Sequence, residues 1–301
     1  MGNCCVKNKI EPIKFEIHSL LKWESNRKTE KFHWWPMCES DIHNNLYADG
    51  NALSKYDILL NKKSVNYQRE HYYISTNSSR KDKNWAGFCN YSAIMSSLYN
   101  YPIHSVLVKY NQKTINLTPS DIEQLMVIAS KNSIKKNISI FFGERNNSKL
   151  KEEPLPIDLL KMLEILCNND TPFIMDIDNG YQVWNYPFDK VEVFKYKTCP
   201  LNHIVPVYGI TDYYNFKITS SGYPEQNQNL WGYVNTIYID RVVYSINQKW
   251  ITETHPDFLW AKFPINTPWN GNCIINPEVD SKIVYDIYKS SFKNNSILTI
   301  N

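Results

Sequence analysis

Residues 84–99 read Asn-Trp-Ala-Gly-Phe-Cys-Asn-Tyr-Ser-Ala-Ile-Met-Ser-Ser-Leu-Tyr and set one thiol, Cys89, where a loop turns into a helix. Gly87 lets the chain turn, and Ala93, Ile94, Met95, Leu98 and Tyr99 recur at the spacing of a buried helix face, so the helix is expected to begin at or just before Cys89. A thiol in that position faces unpaired N–H groups and the positive end of the helix dipole, which favour the nucleophilic thiolate. The other reading is a buried structural cysteine.

A nucleophilic thiol needs a base and a group that orients the base. His203 opens the apolar run Asn202-His-Ile-Val-Pro-Val-Tyr-Gly-Ile210, and Asp240 closes Tyr233-Val-Asn-Thr-Ile-Tyr-Ile-Asp240. As an antiparallel strand pair, these runs bring His203 and Asp240 to one end of a sheet. Each residue has a rival reading, a core histidine for His203 and a surface charge for Asp240. Asp121, Asp178 and Asp212 are alternative acids, and His255 is an alternative base, although the following Pro256 suits a fixed turn.

The elements that must hold these groups follow from pattern. Asn51–Leu60 is a short apolar-periodic helix, and Val106–Tyr110 and Thr114–Leu117 flank a hairpin turn at Asn111-Gln-Lys. Thr118-Pro-Ser-Asp opens a helix from Asp121 to about Ala129, which makes Asp121 a helix-start residue before it is a catalytic acid. Pro156–Cys167 is a helix; Pro172–Asp178, Asn179-Gly180 and Tyr181–Tyr186 read as strand, turn and strand, followed by a strand at Val191–Tyr196.

The 301 residues, 43% hydrophobic, suffice for one large core or two lobes around a cleft. A net charge of +3 spread over 33 basic and 30 acidic residues lacks the one-sided block of a nucleic-acid binder, so no nucleic-acid partner is expected. No apolar run reaches the length of a membrane span or forms a signal-peptide core. Seven cysteines without a C-x-x-C pair fit a reducing compartment better than a disulfide framework or a zinc ribbon. At the amino terminus Met-Gly-Asn-Cys-Cys-Val-Lys reads as an acylation signal, with Gly2 as a myristate site, Cys4 and Cys5 as palmitate sites and Lys7 and Lys9 beside them. Val6 stands where such signals usually carry Ser or Thr.

The order of a nucleophilic Cys at a helix start, a His opening an apolar strand and an acid closing the next strand resembles the papain-like cysteine proteases. Their oxyanion glutamine, six residues before the nucleophile, is replaced by Lys83, and Asn84 is the nearest amide and the oxyanion candidate. His33-Trp-Trp-Pro36, Leu53-Ser-Lys-Tyr-Asp57, Trp85-Ala-Gly-Phe-Cys-Asn90, Tyr181-Gln-Val-Trp-Asn-Tyr-Pro187 and His255-Pro-Asp-Phe-Leu-Trp260 together resemble the transglutaminase elicitor family of oomycetes and bacteria. The resemblance implies a papain-like fold, acyl transfer from protein glutamine to a primary amine, and Cys89 as nucleophile. The family's C-N-G has Tyr91 in place of glycine, and its G-G-E-W has Asn247-Gln-Lys-Trp250.

The expectation is therefore an α+β, two-lobed papain-like fold, its nucleophile helix packed against an antiparallel β-sheet lobe. A flexible, lipid-bearing tail spans 1–14, a catalytic domain 15–270 with lobes of about 15–150 and 151–270, and a C-terminal extension 271–301. Cys89, His203 and Asp240 form the triad; Trp85, Trp184 and Trp260 are cleft candidates; no metal or cofactor is called for. The expected activity is transglutaminase, with glutamine deamidase or cysteine protease as alternatives and a catalytically silent membrane-bound adaptor as a further one. Partners are a protein with an accessible glutamine, an amine or water, and a membrane through the acyl chains. The location is the cytosolic face of a eukaryotic membrane if acylated, otherwise the cytoplasm or that of a secreted effector.

Overall fold

The structure is a computed structural model that describes residues 17–38, 45–130, 139–143, 153–177, 182–197, 210–239, 242–262 and 276–300. Its first half runs β1 (Ile17–Glu24), α1 (Ala52–Leu60), α2 (Ser64–Tyr72), α3 (Cys89–Leu98), β2 (Val106–Tyr110), β3 (Lys113–Leu117), α4 (Pro119–Ala129) and β4 (Ser139–Gly143). The second runs α5 (Pro156–Asn168), β5 (Phe173–Asp176), β6 (Tyr186–Phe188), β7 (Lys190–Tyr196), β8 (Ile210–Thr219), β9 (Gln228–Ile239), β10 (Val242–Trp250), β11 (Phe258–Lys262), α6 (Ser281–Ser290) and β12 (Ser296–Ile300). The class is α+β with mainly antiparallel sheets, ordered β1-β7-β8-β9-β10, β4-β11-β5-β6 and β12-β2-β3.

Local chemistry explains the clearest elements. Asn111 takes φ +52° in the two-residue β2–β3 turn, a left-handed conformation that asparagine tolerates. At α4, Thr118 Oγ1 accepts the Asp121 N–H while the Asp121 carboxylate accepts the Thr118 N–H at 2.8 Å, a reciprocal capping box, and Pro119 occupies the first turn. Asp121 thus serves the helix start, and its carboxylate also pairs with Lys55 at 2.6 Å.

The sheet β4-β11-β5-β6 divides two cores by side-chain alternation. Ile174, Phe258 and Trp260 point into a core built with α1, α3, α4 and α6, whereas Met175, Leu259 and Ala261 point into a second core under α5. The division between lobes is consequently a sheet that both share, where the sequence suggested a chain boundary near residue 150. β1 lies in the second lobe's sheet beside β7, and the segment expected as a C-terminal extension joins the first: α6 packs on α4, and β12 pairs in parallel with β2.

One strand expectation changes. Residues 182–185 are not strand; β6 starts only at Tyr186, because the Val183 carbonyl faces the Cys89 thiol instead of a ladder partner. The strand beside β9 is β8, whose register runs Ile210↔Thr236 to Ile218↔Gln228. Residues 202–209, with His203, lie outside the described residues, as do Asp240, Asp178, the Asn179-Gly180 turn, Gly2, Cys4 and Cys5.

Asp189 fastens the loop after β1 to this frame. Fully buried, its carboxylate accepts the Thr29 N–H at 2.6 Å, the Thr29 hydroxyl at 3.1 Å and the Ser221 N–H at 3.3 Å. Asp189→Ala strands those donors, and the expected loss is about 3 kcal/mol, since each buried donor left unmade costs about 1–3 kcal/mol. A urea midpoint equal to the parent's would show that the loop is held by something else.

Candidate active site around Cys89

Cys89 is the first residue of α3, which has no side-chain cap at its N-terminus. Backbone bonds fix the approach: the Phe88 N–H donates to Trp34 O at 2.7 Å and the Met37 N–H to Ala86 O at 3.0 Å. Gly87 is required here, because a β-carbon on it would overlap the Trp34 ring. Serines on α3 hold the same loop, Ser92 donating to His33 O at 2.5 Å and Ser96 donating to Glu30 O.

The thiol sits between two groups of the loop before β6. Cys89 Sγ donates to the Val183 carbonyl at 3.6 Å, and Asn185 Nδ2 donates to Sγ at 3.4 Å. Asn185 Oδ1 accepts the Trp260 indole N–H at 2.9 Å, and because indole nitrogen only donates, this bond decides which end of the amide faces the sulfur. Burial pushes the Cys89 thiol up from its ordinary pKa, the Asn185 contacts pull it back, and the charge of nearby Asp176 adds to the rise. Cys89 was expected to be a helix-start thiolate; its described surroundings shift the thiol the other way, burial first. The Asn185 amide is placed to donate to negative charge developing at or beside the sulfur.

Trp260→Phe keeps the ring and removes the N–H. Asn185 then loses the bond that orients it, and kcat/KM is expected to fall about tenfold or more with the fold retained, since small misplacements at a reacting centre cost that much. Undiminished kcat/KM in the folded variant would show that Asn185 needs no such anchor.

In front of Cys89 lies a cleft of about 480 Å³ walled by Phe32, His33, Trp34, Trp184, Tyr186 and Tyr223. Trp34 and Trp184 meet edge to face, their ring centres 5.4 Å apart. Glu123 also lines it, although only 3% exposed; its carboxylate accepts the His33 N–H and, at 2.9 Å, the Tyr101 hydroxyl. Burial pushes Glu123 up to about 7, against the pull of those bonds.

Of the residues singled out in the sequence, Cys89 and Trp184 line this cleft. Trp260 lies buried beneath it and acts through Asn185. Asn84 is exposed in the turn before α3 and Trp85 is half-buried; neither lines the cleft, so the oxyanion candidate passes from Asn84 to Asn185. His255 stacks on Trp250 with its Nδ1 3.7 Å from Glu153, outside the lining. Asp212 is held by Lys195 and Lys197 on β7 and just after it. Glu153, His255 and Asp257 bring donor atoms within 4.8 Å of one another, the one such cluster among the described residues.

Asn185 and Glu123 were missed. Asn185 stood inside the Val-Trp-Asn-Tyr-Pro stretch, which carried the signal; Glu123 carried none, being one of several polar residues in the first turns of α4. No family model, curated protein or solved structure matches the chain.

Proposed function

We propose that the chain is a cysteine-dependent acyltransferase of the transglutaminase kind on a papain-like α+β scaffold. The observation that carries this reading is a thiol at an uncapped helix start, opening on an aromatic cleft, with an anchored amide N–H directed at its sulfur. In the reaction, the Cys89 sulfur attacks the carboxamide carbon of a protein glutamine, and ammonia leaves with a proton from the base. The resulting thioester passes its acyl group to an amine, or to water in the deamidase variant. His203 supplies the base and Asp240 orients it. Asn185 and the backbone N–H groups at the start of α3 face the oxyanion.

A second reading is a catalytically silent adaptor, favoured by the burial that raises the Cys89 thiol. Incubation with cell lysate and biotinylated pentylamine separates the two: the enzyme biotinylates lysate proteins and releases ammonia, and a Cys89→Ala protein does neither. Absence of both signals from the parent protein sinks the enzymatic reading.

A further inference from the structure

Two carboxyl groups of the cleft, Glu123 and Glu225, are left unused by the acyl-transfer scheme, and of these Glu225 is exposed and paired with Lys31. Glu123 is buried on α4 yet opens on the same cavity as Cys89. Its described partners are neutral donors, the His33 N–H, the Tyr101 hydroxyl and the nearby Trp35 indole. No lysine or arginine among the described residues pairs with it; Lys31, the cleft's own lysine, is held by Glu225 at 3.2 Å. A buried carboxylate without a counter-cation is costly, and a ligand that brings the cation removes that cost. The nearby walls suit such a ligand, since the half-buried Trp34 and Trp184 present aromatic surfaces that favour an ammonium group and its alkyl stem.

We propose that Glu123 is the recognition site for the acyl-acceptor amine, so that the cleft selects cationic primary amines of the lysine side-chain or diamine class over neutral nucleophiles. This rests on the acyl-transfer reading and adds the second substrate to it. The titration of Glu123 near neutrality suits a further role, taking a proton from the bound ammonium. The amine nitrogen then forms the C–N bond, the C–S bond breaks with its electron pair on the sulfur, and the second nitrogen proton passes to the sulfur to restore the thiol. Glu123 gives its proton to solvent before the next turnover.

The test compares two acceptors of matched length, pentylamine, cationic at neutral pH, and neutral O-butylhydroxylamine. The glutamine donor is cell lysate whose lysines have been reductively methylated, and incorporation is read by mass spectrometry. The parent protein is expected to show a KM for the cationic amine lower by about tenfold or more, and Glu123→Gln, which keeps an acceptor for the His33 N–H, to erase that preference. Equal KM values in the parent, a comparison that needs no variant to fold, overturn the assignment of Glu123, as does a preference that survives in folded Glu123→Gln. Incorporation of neither acceptor, with no ammonia released, overturns the acyl-transfer reading itself.

Discussion

Cys89→Ala is expected to lower amine incorporation by about four orders of magnitude or more, because removal of a covalent nucleophile leaves only binding and oxyanion contacts. The melting temperature should stay within roughly 2 °C of the parent, as for a stability change well under 1 kcal/mol. The change removes one half-buried sulfur, and alanine suits a helix better than any other residue. Asn185 loses one acceptor but keeps Trp260 and faces an open cleft. Activity surviving the change would place the nucleophile elsewhere. Loss of the fold together with activity would make Cys89 a structural thiol.

The second large effect concerns the pH at which Cys89 reacts with iodoacetamide. Desolvation and Asp176 raise the thiol, and the Asn185 bonds oppose them incompletely. A helix end contributes about 0.3–1 kcal/mol, less than one pKa unit. If the parent protein alkylates with a midpoint below the roughly 8.5 of a free thiol, a cation that is not among the described influences on Cys89 supplies the difference, and His203 is the proposed source. His203→Ala removes an imidazolium that stabilises thiolate, so the midpoint should rise by more than about one unit, to above that of a free thiol, and alkylation at pH 7 should slow about tenfold or more. Identical profiles for the two proteins would overturn His203 as the partner. A shift produced by His255→Ala instead would transfer the role to His255, despite its stacking on Trp250.

What the sequence disclosed was whatever short-range chemistry controls. The start of α3 at Cys89, the β2–β3 turn at Asn111, the capped start of α4 and the helix opening at Pro156 are each governed by residues within one turn of one another. The shared sheet was hidden for the opposite reason. Phe173-Ile-Met and Phe258-Leu-Trp-Ala are apolar at every position because both faces are buried, so alternation gives no hint that successive side chains enter different cores. α6 and β12 pack on α4 and β2, partners from far earlier in the chain, which no local pattern reveals. Glu123 eluded sequence reasoning because a charged residue on a helix is ordinarily read as solvated, and only the tertiary structure brings the His33 N–H and the Tyr101 hydroxyl to it. Trp260 was read as a cleft wall; its indole proved to be an anchor for an amide, a role set by the distance between β11 and the loop before β6.

The parallel pairing of β12 with β2 also bears on how the protein is made. Val106 meets Ser296 in that ladder, so β2 waits through the synthesis of about 190 further residues, about 10–40 s at 5–20 residues per second, before its outer neighbour exists. Throughout that interval the nascent chain offers β3 as β2's sole ladder partner and leaves the other edge of β2 open to strands from elsewhere. Completion of the sheet in the half that carries the thiol therefore waits for residues 296–300 to be made. A pulse-labelled chain should gain protease resistance in that half only after residues 296–300 have left the ribosome, and an agent that occupies the open edge during translation should trap the chain before it matures.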